Sequence, residues 1–215
     1  MTHPAAPLLV RLAGRRVVGV GGGTVAAAKL LPLVRDHGAQ VVVISPQLHP
    51  SLSAHVTWRQ RTYDGAEDLA GAVLAVAATD DAQVNERVAA DAEAAGVLCV
   101  RSDADGDGTA SFPATVRRGP LTIAVGTDGR SPTVARWLRE QIEREYGAEY
   151  GALVELLGEL RDDPAIRAHL SSLPASARRT AWRSIPLLDI LAMLRSGSVE
   201  TAKEVAAACL SSSSD

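Results

Sequence analysis

This sequence predicts an α/β fold: a parallel sheet covered by helices, with a mostly helical part after it. Three observations carry that reading. Short apolar runs lie within residues 17–20, 40–45, 72–77 and 97–100, the pattern of strands buried on both faces. Helix-forming stretches at 24–36 and 82–95 alternate with them, as successive βαβ units require. Beyond residue 147 the strand-like runs stop. Short helical segments at 152–160, 165–170, 175–183, 187–194 and 199–210 follow, separated by Pro, Gly and Ser.

The first strand, 17–20, runs into Gly21-Gly22-Gly23 and then into good helix formers. Read as Gly21-x-Gly23-x-x-Ala26, this is the dinucleotide fingerprint G-x-G-x-x-A, placed between a strand and a helix as it should be. Gly21 allows the tight turn. Gly22 and Gly23 carry no side chain to hold a pyrophosphate off the backbone. The N–H groups of Gly23, Thr24 and Val25 would face the phosphates, with the positive end of the helix behind them. A tight βα turn that binds nothing has the same pattern. The helix is expected to end before Gly38, a natural C-cap. Pro32 inside it removes the bond to the carbonyl of Ala28 and predicts a kink.

The second strand, 40–45, stops at Pro46. A typical NAD site carries Asp or Glu here for the ribose hydroxyls. This chain has Ser45-Pro46-Gln47, so Ser45 or Gln47 takes that place, and the lack of an arginine for a 2′-phosphate favours NAD over NADP. Residues 56–59 read as an edge strand. The strand at 72–77 closes with Ala78-Thr79-Asp80-Asp81, where Thr79 or Asp80 caps the helix at 82–95. Thr79 and Asp80 also lie at the carboxyl end of a strand beside the glycine loop, where α/β sheets hold ligands.

The strand at 97–100 leads into Arg101-Ser102-Asp103-Ala104-Asp105-Gly106-Asp107-Gly108. As a calcium loop this is incomplete, because Gly106 precedes the third aspartate and no glutamate reaches position 12. A solvated acidic loop is the plain alternative. A new segment begins at Phe112-Pro113. It holds a strand at 121–125, a turn at 126–130, and a helix to residue 146 with Ser131 as its cap and Pro132 at its first position. Val134, Ala135, Leu138 and Ile142 form one stripe of that helix.

Bulk properties exclude several classes. A net charge of −3 argues against nucleic acid as a partner. Aromatics make up only 3% of the chain, which leaves the core to Ala, Val and Leu. Cys99 and Cys209 fit neither a disulfide framework nor a metal motif. His3, His37, His49, His55 and His169 show no ligand spacing, so no resident metal is expected. Residues 1–7 are too short and polar for a signal peptide, and no apolar run is long enough to span a bilayer. A cytoplasmic location and no membrane partner are therefore expected.

Four blocks in order resemble the precorrin-2 dehydrogenases of the siroheme-synthase N-terminal type, some of which are also sirohydrochlorin ferrochelatases. The blocks are Val18-Gly19-Val20-Gly21-Gly22-Gly23-Thr24-Val25-Ala26 with Lys29; Ala77-Ala78-Thr79-Asp80-Asp81 with Val84-Asn85; Phe112-Pro113-Ala114; and Gly129-Arg130-Ser131-Pro132-Thr133-Val134-Ala135-Arg136 with Leu138-Arg139-Glu140. The resemblance covers residues 5–147, and the helical tail fits the same plan. It implies a Rossmann-like parallel-sheet domain over 1–112, a dimerisation segment over 113–147 and a small C-terminal helical domain over 148–215.

The implied reaction is NAD-dependent oxidation of precorrin-2 to sirohydrochlorin, in siroheme or cobalamin biosynthesis, by a homodimer. Insertion of Fe²⁺ or Co²⁺ into sirohydrochlorin is a further implied activity. Nucleotide contacts carried over from the family fall on Thr24-Val25 and Pro46-Gln47. The family's functional aspartate falls on Asp103; the motif has drifted, with Ser102 before it and Ala104 after it, so Asp105 is the alternative. The family arginine before Lys29 is Ala28 here, and the glycine pair before Ser-Pro is Asp128-Gly129. A polycarboxylate substrate calls for arginines at its mouth; Arg101, Arg117, Arg118, Arg130 and Arg136 are the candidates. With no methyltransferase domain after it, the chain is expected not to make precorrin-2 itself. A competing reading is a non-catalytic NAD-binding sensor or regulatory domain, which needs the glycine loop but neither the acidic loop nor the Ser-Pro helix.

Overall fold

The computed structural model describes residues 5–103 and 108–211. Asp105, with the rest of the 104–107 stretch, lies outside the described residues. The chain forms two compact units. One comprises Met1–Pro113 and Thr127–Pro132, the other Ala114–Gly126 and Thr133–Asp215.

The first unit is a five-stranded parallel sheet in the order β3-β2-β1-β4-β5. The elements are β1 (Arg16–Val20), α1 (Thr24–Arg35), β2 (Gln40–Ile44), β3 (Thr57–Arg59), β4 (Leu74–Ala77), α2 (Ala82–Ala94) and β5 (Leu98–Arg101). Val18 of β1 pairs with Val42 on one side and Ala75 on the other. Successive side chains of a strand point to opposite faces, and the core divides accordingly. Val17, Val41, Val43 and Val76 pack with Leu30 and Leu33 of α1. Val18, Val20, Ile44, Ala75 and Cys99 pack with Val88 and Ala92 of α2. Gly19 faces α1, and a Cβ there would collide with Leu30; the glycine lets helix and strand close together.

Pro32 lies inside α1, and the helix continues for a turn to Arg35. The edge strand expected at 56–59 is β3, paired on one side only, with β2. The cap of α2 differs from the expectation. Asp81, not Thr79 or Asp80, is the N-cap, its carboxylate accepting from the N–H groups of Gln83 and Val84 at 2.9 and 3.3 Å. Three capping residues stand in a row in the sequence, and the one adjacent to the first helical residue has the right reach.

The second unit begins with a hairpin of β6 (Ala114–Arg118) and β7 (Leu121–Val125). Only β7 was expected. The sign of β6 was the Gly119-Pro120 dipeptide, a turn marker: Gly119 takes φ +52, which suits a two-residue hairpin turn. Then come α3 (Pro132–Glu145), α4 (Ala148–Asp162), α5 (Pro164–Ser172), α6 (Ala175–Arg183), α7 (Leu187–Arg195) and α8 (Val199–Ser211). Asp163 caps α5, with Pro164 at its first position. Leu153, Leu156, Leu160, Ile190, Leu191, Ala202, Ala206 and Leu210 form this unit's apolar core.

Candidate functional site

In the strand order β3-β2-β1-β4-β5 the chain leaves β1 towards one edge and returns to β4 on its other side. The carboxyl ends of β1 and β4 therefore flank a topological switch point, where open α/β sheets bind ligands. The glycine turn follows β1 at this point. Ser45 follows β2, Thr79 follows β4, and Ser102-Asp103 follow β5.

The three glycines have different reasons to be glycine. Gly21 sits at φ +107, and a Cβ there would collide with the carbonyl of Ala78. A Cβ on Gly22 would collide with the carbonyl oxygen of Gln47 and stand 2.9 Å from Ser45 Oγ. So the missing side chain of Gly22 serves the packing of the 45–49 segment, whose His49 N–H donates to Gly22 O at 2.7 Å. A Cβ on Gly23 meets nothing within 4 Å; this is the open face of the turn.

Gly23 is also the N-cap of α1, in extended conformation and without a side-chain cap. The first intrahelical bond runs from Ala27 N–H to Gly23 O at 2.9 Å, so the N–H groups of Thr24, Val25 and Ala26 have no partner within the helix. A phosphate fits such an end by charge and by hydrogen bonding. The open side of Gly23 leaves room for it.

After β2, Ser45 is buried; its carbonyl accepts from Trp58 Nε1 at 2.9 Å and its N–H donates to Arg59 O at 3.2 Å. Pro46 and Gln47 are exposed just beyond it. After β4, Thr79 is held on all sides. Its N–H donates to Asn85 Oδ1 at 3.0 Å, its hydroxyl lies 2.8 Å from the same oxygen, and its carbonyl accepts from Asn85 Nδ2 at 3.0 Å. Asp80 is exposed at the tip of this turn.

After β5, Asp103 is gripped by Arg101: Nε to Oδ1 at 3.2 Å and Nη2 to Oδ2 at 3.1 Å. Both side chains are largely covered, at 12% and 23% exposure. Arg101 first, and a hydrogen bond from Asn85 after it, hold the Asp103 carboxyl below the usual aspartate range. Burial pushes the neighbouring Cys99 thiol the other way, which makes it unreactive. The acidic loop is pinned where it ends, because Cys99 N–H donates to Thr109 Oγ1 at 2.8 Å and Ala110 N–H to Cys99 O at 2.9 Å. The Ser102 hydroxyl is buried with no hydrogen-bond partner among the described residues.

The candidate arginines separate on inspection. Arg101 is committed to Asp103. Arg118 donates to the carbonyls of Tyr146 and Glu143, both at 2.8 Å, and so fastens β6 to the end of α3. Arg136 pairs with Glu140 along α3 at 3.2 Å. Arg117 and Arg130 stand on the surface or near it. Sequence reasoning quoted Asn85 inside a motif but gave it no role; its complete burial and its hydrogen bonds to Thr79 are seen only in the structure. Among the described residues, no three His, Cys, Asp or Glu side chains gather where a metal ion could be held, and no helix is long and apolar enough to cross a membrane.

Comparison with known proteins fits this arrangement. A family model for NAD(P)-binding domains matches residues 8–114, and the model of the sirohaem biosynthesis protein central region matches 118–145. Siroheme synthase of Methylobacillus flagellatus is 35% identical over 202 residues, covering 92% of this chain and 42% of the relative. Siroheme synthase of Chromobacterium violaceum is 39% identical over 195 residues, covering 85% of this chain and 39% of the relative. The chain thus spans about two fifths of the length of these curated relatives. The solved structure of SirC, a precorrin-2 dehydrogenase, superposes with a TM-score of 0.70 at 23% identity, over 93% of this chain and 99% of that one; it shares the fold.

Proposed function

We propose that this chain, which belongs to the siroheme-synthase family of sirohaem biosynthesis proteins, is an NAD-dependent precorrin-2 dehydrogenase that produces sirohydrochlorin. One observation carries the reading: a carboxylate paired with Arg101 and held below the usual aspartate range, Asp103, lies just after one strand of the same sheet whose switch point holds an open glycine turn and a helix N-terminus without a side-chain cap. A nucleotide site alone would need no such carboxylate.

Gly23, Thr24 and Val25 would hold the pyrophosphate through backbone N–H groups. Gln47, exposed after β2, would meet the ribose hydroxyls, with Pro46 and the buried Ser45 shaping that wall. Thr79 and Asp80 would border the nicotinamide half. Bound NAD supplies the hydride acceptor. Asp103 faces the other product of the oxidation, the proton. A carboxylate held below its usual range is a weak base but a strong hydrogen-bond acceptor, so Asp103 Oδ orients a macrocycle N–H and passes its proton on to water. Arg130, exposed in the same unit, remains for the substrate carboxylates.

The test is direct. Purified protein given precorrin-2 and NAD should convert the precorrin-2 spectrum to that of sirohydrochlorin, with one NADH formed per molecule oxidised, and should bind NAD more tightly than NADP. A protein that binds NAD but leaves precorrin-2 unchanged would instead be a sensor domain; equal or reversed affinity for NADP would remove the cofactor preference. Metal insertion is a second activity of the proposed site, with Fe²⁺ or Co²⁺ as substrate beside sirohydrochlorin. We place the reaction in the cytoplasm, where soluble NAD is available.

Within this reading, 1–112 binds the nucleotide, 113–147 dimerises and 148–215 is the helical domain. The hairpin and α3 leave Val134 and Trp137 exposed, which suits a surface made to be covered by a second copy. Light scattering should therefore report a homodimer, and a monomer at working concentration would count against it.

A further inference from the structure

We infer that the helical unit carries a binding face of its own for the macrocycle: arginines of α4, α5 and α6 gathered around Trp182 take the carboxylates of a tetrapyrrole, and the indole takes its flat ring. The choice of ligand rests on the dehydrogenase reading above; the face itself is read from this unit alone.

Two shallow grooves meet at Arg178 and Trp182. One is bordered by Arg179 and Arg183 of α6, the other by Arg161 of α4 and Arg167 of α5. Their volumes are about 430 and 300 Å³, within the range of small-molecule sites. All five arginines are exposed, and Trp182 is half-buried against the unit's apolar core. Among the described residues, Arg167 alone of the five has an ion pair, with Asp162 at 2.8 Å. α6 holds three arginines and no acidic residue. Arg179 and Arg183 stand four apart, an arrangement of like charges that weakens a helix. Only Arg183, in the last turn, suits the negative end of the helix. Helix stability therefore does not account for the cluster, and a concentration of one charge sign draws a ligand of the other.

The side chains point to the kind of anion. Every cation of the face is an arginine, whose planar fork pairs bidentately with a carboxylate. The half-buried indole beside them offers a flat apolar surface. A planar ring with carboxylates around its edge uses both, whereas a lone phosphate would leave the indole unused. A long polyanion such as nucleic acid fits less well, because the chain as a whole carries −3 and Asp162 lines the same groove.

The test titrates the full chain with sirohydrochlorin and follows the Trp182 indole N–H by nitrogen-edited NMR, its signal assigned by its absence in Trp182→Phe. We expect that signal to shift and saturate. Arg178→Gln combined with Arg183→Gln should weaken this binding about 10-fold or more, the loss of two exposed charge pairs, and leave thermal stability unchanged because both side chains are exposed. Added salt should weaken binding to the parent more than to the variant. An indole signal that sirohydrochlorin leaves in place overturns the inference. So does a folded variant that binds like the parent, or a shift that a short DNA duplex produces and sirohydrochlorin does not. If the indole signal shifts but the parent does not oxidise precorrin-2, the face stands and the dehydrogenase reading falls. If the parent oxidises precorrin-2 and the signal stays in place, the reading stands and the face falls.

Discussion

Gly23→Asp is expected to abolish NAD binding while leaving the protein as stable as the parent. The position is open, since a Cβ there meets nothing within 4 Å. Its backbone is extended and not left-handed, so a side chain costs no strain. It is also the N-cap of α1, where aspartate is among the preferred residues, so the melting temperature should hold or rise slightly. The new carboxylate would take the helix N–H groups that a pyrophosphate needs and repel the pyrophosphate itself. Like charges brought together at a site cost several kcal/mol, which at about 1.4 kcal/mol per tenfold predicts a loss of affinity of about 10²-fold or more. Isothermal titration with NAD checks the affinity and thermal unfolding checks the fold. A variant that folds and still binds NAD like the parent would show that the glycine turn is not the nucleotide site. Gly22→Asp is a poorer choice: its side chain would strike the Gln47 carbonyl, and a loss of binding there would report broken packing as much as repulsion.

The contrast between these glycines shows what the sequence could and could not disclose. The sheet strands were legible because a strand buried on both faces must be apolar throughout, and four such runs stand out. The glycine turn was legible because Gly21-Gly22-Gly23 stands between an apolar run and a run of helix formers. Which glycine has an open face was not, because it depends on the 45–49 segment folding over Gly22 and on Ala78, just after β4, lying against Gly21. Gly19 gave no sign at all; its need comes from Leu30, a turn and a half into the next helix. The hairpin partner β6 escaped notice because Thr115, Arg117 and Arg118 dilute its apolar pattern, with only Val116 fully buried. Asp103 was reached through a family resemblance at a drifted motif. Its pairing with Arg101, two residues away on the same strand end, was not read, and that pairing removes Arg101 from the arginines offered to the substrate.

Asp103→Ala is expected to lower precorrin-2 oxidation by about 10²-fold or more, the usual size of a contribution from an acid–base group, and to leave NAD affinity nearly intact, because the proposed nucleotide site is the backbone of the glycine turn and does not include this carboxylate. The pH behaviour follows from how the carboxylate is held. Arg101 and then Asn85 lower its pKa in the folded protein, so it stays ionised as pH falls through the ordinary aspartate range, and activity that depends on the charge should be lost only below that range. Asp103→Asn keeps the shape and one acceptor but removes the charge. If it is as slow as Asp103→Ala, the charge is what the reaction uses; if it retains most of the activity, orientation of the macrocycle by hydrogen bonding is enough. Added formate or acetate that restores the rate of Asp103→Ala would favour proton transfer over positioning. Asp105→Ala is the control: if it alone is slow, the functional carboxylate is two residues further on. If both variants turn over like the parent, the acidic loop is solvated and takes no part in the oxidation.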